Sequence, residues 1–137
     1  MNNARFPISL HILTLMARNK GVLLSSEHIA GSININPVLV RKEISNLRNN
    51  GLVESKEGKN GGSTLAKPAS DIQLSDIYHA VQQASLLGNS RNHPNPACSV
   101  GRQINVHLDN LYQEIEGALL RKLDKMTLED FSAQFED

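Results

Sequence analysis

The stretch that decides the fold is LLSSEHIAGSININPVLVRKEISNLRNNGLVESKEGKNGGSTLAKP, from Leu23 to Pro68. Its first part, Ser26 to Ile33, opens with serines that can cap a helix, and its apolar residues fall at helical spacing. After a short interruption comes Asn36, a preferred N-cap residue, and then Pro37, at the first helical position that favours proline. The pattern predicts two helices joined by about three residues.

The second predicted helix runs from Asn36 to Asn50, and Gly51 ends it because glycine accepts the left-handed conformation of a helix C-terminus. Its apolar residues recur at helical period: Val38, Val40, Ile44 and Leu47. Residues 52–56 then alternate like a half-buried strand, residues 58–62 form a turn, and residues 63–67 return before Pro68. Two helices, the second of them basic, followed by a basic hairpin predict a winged helix-turn-helix, in a fold that is mainly α with a small β hairpin.

DNA reading is one function that this architecture serves, and a protein–protein adaptor is the alternative. A recognition helix places its N-terminal residues on base edges in the major groove, while a wing contacts phosphate or the minor groove. We expect Arg41 to reach a guanine and Leu39 to reach a thymine methyl, with Ser63 as a further wing residue. The predicted DNA-binding residues are Ser25, Ser26, Asn36, Val38, Leu39, Arg41, Lys42, Ser45, Lys56, Lys59, Asn60, Gly61 and Gly62.

Two further predicted helices flank this unit. Phe6 to Arg18 has a broad apolar face and is expected to pack beneath the helix-turn-helix. Ser75 to Gln82 is a short helix for which Ser75 is the predicted cap. Its predicted buried side consists of Ile77, Ala80, Val81 and Ala84. His11 and His28 are interpreted as ordinary surface or core histidines, and residues 88–97, with two prolines, predict a loop.

The longest helical pattern runs from Cys98 to Lys125 and has two apolar sides. Such a helix has more apolar surface than one small domain covers, so the sequence predicts pairing with a second copy, the alternative being a single-faced core helix. The predicted dimerisation residues are Ile104, Leu108, Leu111, Ile115, Leu119 and Leu123. A last helix begins at Thr127, whose spacing to Asp130 resembles a capping box. Its predicted anchors are Leu128, Phe131 and Phe135.

Charge is distributed unevenly, although the net charge of the 137 residues is zero. Residues 1–70 hold nine Lys and Arg against four Asp and Glu, whereas residues 71–137 hold five against ten. This asymmetry is typical of a chain in which one part meets phosphate and another meets protein. The single cysteine fits a reducing cytosol, so we expect a cytoplasmic location. No segment reaches the ~18 apolar residues that span a bilayer.

The chain is expected to divide by function. Residues 1–85 are the predicted winged helix-turn-helix DNA-binding domain, and residues 86–137 supply the loop, the long dimerisation helix and a C-terminal docking helix. The sequence has no nucleophile elbow, phosphate loop or His-Glu-x-x-His helix, so an enzyme is not expected.

Several motifs together carry a family resemblance. They are Ser-Ser-Glu-His-Ile-Ala, Asn-Pro-Val-Leu-Val-Arg, Leu-Arg-Asn-Asn-Gly-Leu-Val, Gly-Lys-Asn-Gly-Gly and Leu-Ala-Lys-Pro, continued by residues 72–78 and 126–130. In this order they resemble the Rrf-two family of bacterial transcription regulators, the kin of IscR, NsrR and CymR, over nearly the whole chain. Cys98-Ser99-Val100-Gly101 is similar to the YwnA-like branch of that family. The resemblance implies a homodimeric repressor that binds double-stranded DNA.

The resemblance also bears on Cys98. In relatives similar to IscR, three cysteines in this region bind an iron–sulfur cluster, which requires about four ligands, mostly thiolates. Cys98 with His93 and His107 does not supply such a set from one chain, so we expect neither a cofactor nor a metal site. A lone thiol just before a helix favours reactivity, which makes Cys98 a candidate sensor of redox or electrophile stress. The alternative is a small hydrophobic residue that packs the dimer, with any effector being an unidentified small molecule.

Overall fold

The computed structural model of the chain describes residues 4–82, 87 and 92–137. It confirms a mainly α-helical fold with a small β hairpin. In chain order the elements are α1 (Arg5–Arg18), α2 (Ser26–Ile33), α3 (Pro37–Asn49), β1 (Val53–Lys56), β2 (Gly62–Leu65), a 3-10 turn (Ala69–Asp71), α4 (Leu74–Val81), α5 (Ser99–Asp124) and α6 (Leu128–Ser132).

The helix-turn-helix of α2 and α3 has the caps that its sequence predicts. Ser25 precedes α2, and its hydroxyl accepts a hydrogen bond from the His28 backbone N–H at 3.1 Å. Asn36 precedes α3, where its side-chain oxygen accepts from the Val38 N–H at 2.9 Å. Between the helices, Asn34 adopts a left-handed conformation with φ of 66°. The caps satisfy backbone donors that each first helical turn leaves free, so local sequence fixes where both helices begin.

The wing is an antiparallel pair of strands, and one residue from outside the hairpin pairs with its edge. β1 pairs with β2 in the register Val53 to Leu65, and Leu24 forms a bridge with Ser63 on the other side of β2. Gly62 sits under this bridge, and a Cβ there would lie 2.7 Å from the Leu24 carbonyl oxygen. The wing is therefore tied to the segment that enters α2, which holds it beside the helix-turn-helix.

An aliphatic core joins all these elements. The largest fully buried apolar side chains are Ile12, Leu13, Met16, Ile29, Val40, Leu47, Ile72, Ile77 and Leu128. They show that α1 packs beneath the helix-turn-helix as predicted. An ion pair reinforces this contact: the Arg5 guanidinium donates from Nε and Nη2 to the two Glu43 carboxylate oxygens at 2.9 and 3.0 Å. The hydrogen bond to Glu43 raises the pKa of Arg5.

The predicted cap of α4 is wrong. The helix begins at Leu74 with Gln73 as the N-cap, and the side chain of Ser75 is buried instead. The Gln73 backbone N–H donates to Asp76 Oδ2 at 2.9 Å, so a carboxylate inside the helix satisfies the N–H of the N-cap residue. Ile77 and Val81 lie on the buried side as predicted. Ala84 and the first part of the predicted 88–97 loop, residues 88–91, lie outside the described residues.

The C-terminal part consists of a long helix at the surface and a short helix that packs on the core. α5 spans 26 residues, none of which is buried. The chain continues into α6, which has the predicted capping box of Thr127 and Asp130 and inserts Leu128 into the core against α1. In the described part of the chain, no helix combines the length and apolar character that crossing a membrane requires.

Ser9 lies inside this core without a hydrogen-bond partner. Among the described residues, its hydroxyl is the buried side-chain polar group that lacks one. We expect Ser9→Ala to raise the free energy of unfolding by about 1 kcal/mol, because burying an unbonded hydroxyl costs about 1–3 kcal/mol. Urea denaturation measures this change. Thr14→Val is the control, since the Thr14 hydroxyl donates to the Leu10 carbonyl at 2.7 Å and its removal should not stabilise. A less stable Ser9→Ala protein would contradict the prediction.

Candidate nucleic-acid interface

The N-terminal half of α3 presents a mixed apolar and basic surface. Val38 and Leu39 are large apolar residues that are 59% and 49% exposed, and Arg41 and Lys42 follow them on the exposed side. Buried residues of the same helix, such as Val40, fix its rotation. A helix whose first two turns carry exposed methyl groups and cations can meet thymine methyls and guanine acceptors in a major groove.

Arg41 has a partner on α2. Its Nη1 lies 3.2 Å from Glu27 Oε2, and both side chains are more than half exposed. An ion pair in water of this kind contributes little to stability, so it holds Arg41 only loosely. Arg41 is therefore free to exchange Glu27 for a base or phosphate.

A groove of about 290 Å³ lies between α3 and the wing. Arg41, Arg48 and Lys56 contribute cationic side chains to it. Arg48 Nη1 donates to Ser55 Oγ at 3.1 Å, and Ser55 Oγ shares a hydrogen bond of 2.8 Å with Ser63 Oγ. The recognition helix and the wing are thus in contact through side chains as well as through the chain that joins them.

The wing residues that sequence reasoning selected have different surroundings. Lys56, Lys59 and Asn60 are exposed, whereas Ser63 is buried at the groove and its hydroxyl shares a hydrogen bond with Ser55, so a contact of Ser63 with DNA stays a prediction. Glu54 and Glu57 are also exposed on the hairpin, so the positive charge of this face comes mainly from α3.

The two wing glycines and the serines have structural roles that position the face. A Cβ at Gly61 would overlap the Lys56 carbonyl oxygen, so the turn requires glycine there. Ser25 caps α2, Ser26 lines the groove, and Ser45 is half-buried on α3.

Arg48 is a functional candidate that sequence reasoning missed. It lies in the last turn of α3, where a recognition helix has already left the base edges, so no spacing rule selects it. The hairpin contact through Ser55 brings it to the groove. The available signal was a basic residue at the end of a predicted helix, a few residues before a hairpin that carries lysines.

α5 presents the second candidate surface. Val100, Val106 and Leu111 are exposed on it, by 66%, 61% and 47%. Four of the predicted dimerisation residues are half-buried: Ile104, Leu108, Ile115 and Leu119. Leu123 instead packs against the core of its own chain. A 26-residue helix with this much accessible aliphatic surface and no buried residue has the character of an interface.

Cys98 is the N-cap of α5 and is exposed. Its Sγ accepts a hydrogen bond from the Gly101 backbone N–H at 3.4 Å. Hydrogen bonds from the N–H groups of Gly101 and Val100 lower the pKa of the Cys98 thiol. The arrangement stabilises a thiolate that reagents in solution can reach.

Comparison with known proteins identifies the family. A family model described as Rrf2, iron-dependent transcriptional regulator, matches residues 2–134. The chain belongs to the Rrf2 family. A candidate HTH-type transcriptional regulator, YwnA of Bacillus subtilis (strain 168), is 38% identical over 95% of this chain and 96% of its own. These findings confirm the family resemblance and make the chain a DNA-binding transcription regulator by family.

Solved Rrf2-like structures agree with the fold. CymR, the global cysteine regulator of B. subtilis, is 26% identical with a TM-score of 0.72, covering 96% of this chain and 95% of CymR. A crystal structure of a candidate DNA-binding protein is 34% identical with a TM-score of 0.74, covering 93% of this chain and 97% of that chain. The winged helix with a long C-terminal helix is thus the architecture of these relatives.

The iron in the family description does not fit the donors of this chain. An iron–sulfur cluster takes about four ligands, mostly cysteine thiolates, and the sequence contains one cysteine. A symmetric pair of chains would supply two. In the described ranges, no three His, Cys, Asp or Glu residues lie close enough together to hold a metal ion.

Proposed function

We propose that this Rrf2 protein is a homodimeric repressor that binds specific sequences in double-stranded DNA. The observation that carries the proposal is the exposed N-terminal half of α3, where Val38, Leu39, Arg41 and Lys42 face solvent beside a wing tied to the same helix. Membership of a family of transcriptional regulators supports it.

In the proposed complex, α3 enters the major groove with Asn36 at its leading end. Arg41 leaves Glu27 and donates to a guanine, while Leu39 contacts a thymine methyl. Lys42 and the wing residues Lys56 and Lys59 meet phosphates, which add affinity without sequence preference. α5 pairs two chains and sets their recognition helices about 34 Å apart, one turn of duplex.

The proposal assigns different functions to the two parts of the chain. Residues 1–85 would form the DNA-binding domain, and residues 86–137 would form the loop, the dimerisation helix and the docking helix. We assign no catalytic role to any residue. A regulator of this kind works beside the chromosome, so we propose a cytoplasmic location.

A winged-helix dimer that serves as a protein adaptor is the competing function. Mobility shift of random genomic fragments at two salt concentrations separates the two, because binding through phosphate contacts weakens steeply as salt rises. We expect retarded fragments at low salt and a selected subset at high salt. An adaptor would retard none at either concentration.

The reading face can be tested at single side chains. Arg41→Ala should cost about 1–3 kcal/mol on the operator and relax preference at one position per half-site, because a bidentate contact to guanine is lost. Lys59→Ala should weaken all sequences alike and reduce the salt slope by about one unit. Fluorescence anisotropy over a salt series measures both.

Glu27→Gln is the matched control for Arg41. It releases the Arg41 guanidinium from its exposed partner without changing a residue of α3, so operator affinity should be unchanged or higher. If Arg41→Ala and Lys59→Ala both bind as the parent does, α3 and the wing are not the reading face.

We further propose that Cys98 reports redox or electrophile stress. Its exposed sulfur at the N-terminus of α5, with a lowered pKa, supports this role. Addition of a group to the sulfur would disrupt the hydrogen bond that the Gly101 N–H donates. It would thereby change the start of α5, the helix that sets the distance between the two α3 helices of the dimer. The effect on operator affinity equals the difference that the modification makes between the binding and non-binding states.

We expect an alkylating quinone or mild peroxide to lower operator affinity in the native protein, whereas Cys98→Ser binds DNA and ignores the reagent. The rate of alkylation against pH should have its midpoint below that of a free cysteine thiol, because the backbone N–H groups favour the thiolate. Mass spectrometry and anisotropy on the same samples follow the two effects. A sulfur that reacts fully while the DNA-binding curve stays in place would contradict the sensor role.

A further inference from the structure

A second groove lies between α1 and the C-terminal segment that carries α6. Its volume is about 430 Å³, within the range of small-molecule sites, and it shares no lining residue with the groove beside the wing. Leu10 and Leu15 line it from α1, and Phe131 and Phe135 line it from the C-terminal segment. The walls are therefore mostly apolar and come from two ends of the chain.

One end of this groove carries a hydrogen-bonding pair. His11 Nε2 lies 2.9 Å from the hydroxyl of Ser32, and both residues line the groove. An imidazole and a hydroxyl together can donate to and accept from a ligand, since each is able to do both. A hydroxyl group on the ligand matches this pair.

Two charged side chains line the groove: Arg18, which already donates hydrogen bonds within the chain, and Glu136, which is negative. Arg18 donates from Nη1 to the Phe135 carbonyl at 2.8 Å and from Nη2 to the Asp137 carboxylate at 2.6 Å. The Asp137 carboxylate is fully exposed, so the guanidinium is held mainly by backbone carbonyls, those of Phe135 and of Ser132 at 3.3 Å. Glu136 also lines the groove, so a carboxylate or phosphate on a ligand would meet negative charge and a guanidinium that already donates to a backbone carbonyl.

Two phenylalanine rings in the apolar wall are arranged so that they can pack against an aromatic ligand. The rings of Phe131 and Phe135 meet edge to face, with centroids 5.5 Å apart and an interplanar angle of 60°. Phe135 is nevertheless 47% exposed. A flat ring placed between Phe135 and the leucines of α1 would cover apolar surface that water now contacts.

We propose that the groove between α1 and α6 binds an uncharged aromatic molecule of one or two rings that carries a hydroxyl group, the chemistry of a phenol or naphthol. The ring lies between the leucines of α1 and the two phenylalanines. The hydroxyl meets His11 and Ser32.

The groove is also placed to influence DNA reading, a step that rests on the proposed function. A ligand in the groove would contact α1, which is joined to α3 by the Arg5–Glu43 ion pair. It would also contact Ser32 on α2, the first helix of the helix-turn-helix. If the ligand prefers one arrangement of these helices, it changes operator affinity, and by linkage the operator changes ligand affinity by the same factor.

Titration of the ¹⁵N-labelled full chain with 2-naphthol, followed by heteronuclear NMR, tests the site. We expect shifts in residues 7–18 and 131–136, and weaker binding of 2-naphthoate, whose ring is the same and whose group is an anion. His11→Phe should weaken 2-naphthol roughly fivefold through the lost hydrogen bond. Phe135→Ala should also weaken it, whereas Val22→Ala, another exposed apolar residue outside the groove, should not.

Three results would overturn the site: shifts confined to residues 99–124, equal binding of 2-naphthoate, or binding that appears only when Leu111→Glu prevents dimer formation. The last would mean that a second copy covers the groove. Operator anisotropy with saturating 2-naphthol tests the regulatory step separately, and an unchanged affinity overturns that step alone. Failure of the protein to bind any DNA would refute the proposed function, but the NMR titration would still show whether the groove binds 2-naphthol.

Discussion

Arg5→Ala should lower the free energy of unfolding by about 1.5–3 kcal/mol, because the Glu43 carboxylate loses its two charged hydrogen bonds in a part-buried site. The side chains of Arg5 and Glu43 are 17% and 8% exposed, so solvent replaces little of what the guanidinium provides. Small domains have a total stability of about 5–15 kcal/mol, so the loss would be a large part of it. Urea denaturation at a fixed protein concentration measures the difference.

A double variant separates the ion pair from simple packing. Arg5→Met with Glu43→Met removes both charges and keeps apolar volume between α1 and α3, so its stability should lie within about 1 kcal/mol of the parent or above it. If Arg5→Ala unfolds at the same urea concentration as the parent, the pair does not hold α1 beneath the recognition helix. If the double variant is as unstable as Arg5→Ala, the lost stability comes from packing rather than from the unpaired carboxylate.

Leu111→Glu should dissociate the proposed dimer while each chain stays folded. Leu111 is half-exposed in the single chain, and α5 contains no buried residue, so the carboxylate remains solvated there. In a symmetric dimer two half-exposed leucines are lost, at about half of 1.5–3 kcal/mol each, which weakens association by at least about 10- to 10²-fold. Light scattering over a range of micromolar concentrations reports the mass, and circular dichroism reports the helix content.

Gln113→Glu is the matched control for charge. Gln113 is exposed on the same helix but is not among the aliphatic residues predicted to meet the second chain, so the added carboxylate should leave the dimer intact. A parent protein that is monomeric at micromolar concentration would contradict the assembly. So would equal dissociation of both variants, since that would assign the effect to net charge.

Local sequence was sufficient to predict most of the fold. Ser25 and Asn36 cap helices at the predicted positions because each cap depends on a side chain and the backbone two or three residues away. The long helix was predicted to within one residue at each end, since its aliphatic period continues without interruption. The Rrf2 family resemblance followed from the order of short motifs that these same elements contain.

The remaining details depend on contacts between distant residues. Ser75 appears to be a cap in the sequence, but Leu74 is drawn into the core and the helix begins one residue earlier, with Asp76 satisfying the Gln73 N–H. Ser55 Oγ contacts both Ser63, which is buried, and Arg48, which it brings to the groove, and neither contact could be predicted from local sequence. The groove between α1 and α6 also depends on tertiary packing, because its walls come from opposite ends of the chain.

Selection of bound fragments from a random DNA library, followed by anisotropy on the enriched sequence, tests the central claim most directly. Specific dimeric binding predicts an inverted repeat whose half-sites lie about 10 base pairs apart from centre to centre, with two chains per duplex. Affinity for it should exceed that for scrambled DNA by at least about 10³-fold at physiological salt. Absence of an enriched sequence, with equal affinity for every duplex tested, would contradict sequence-specific regulation by this protein.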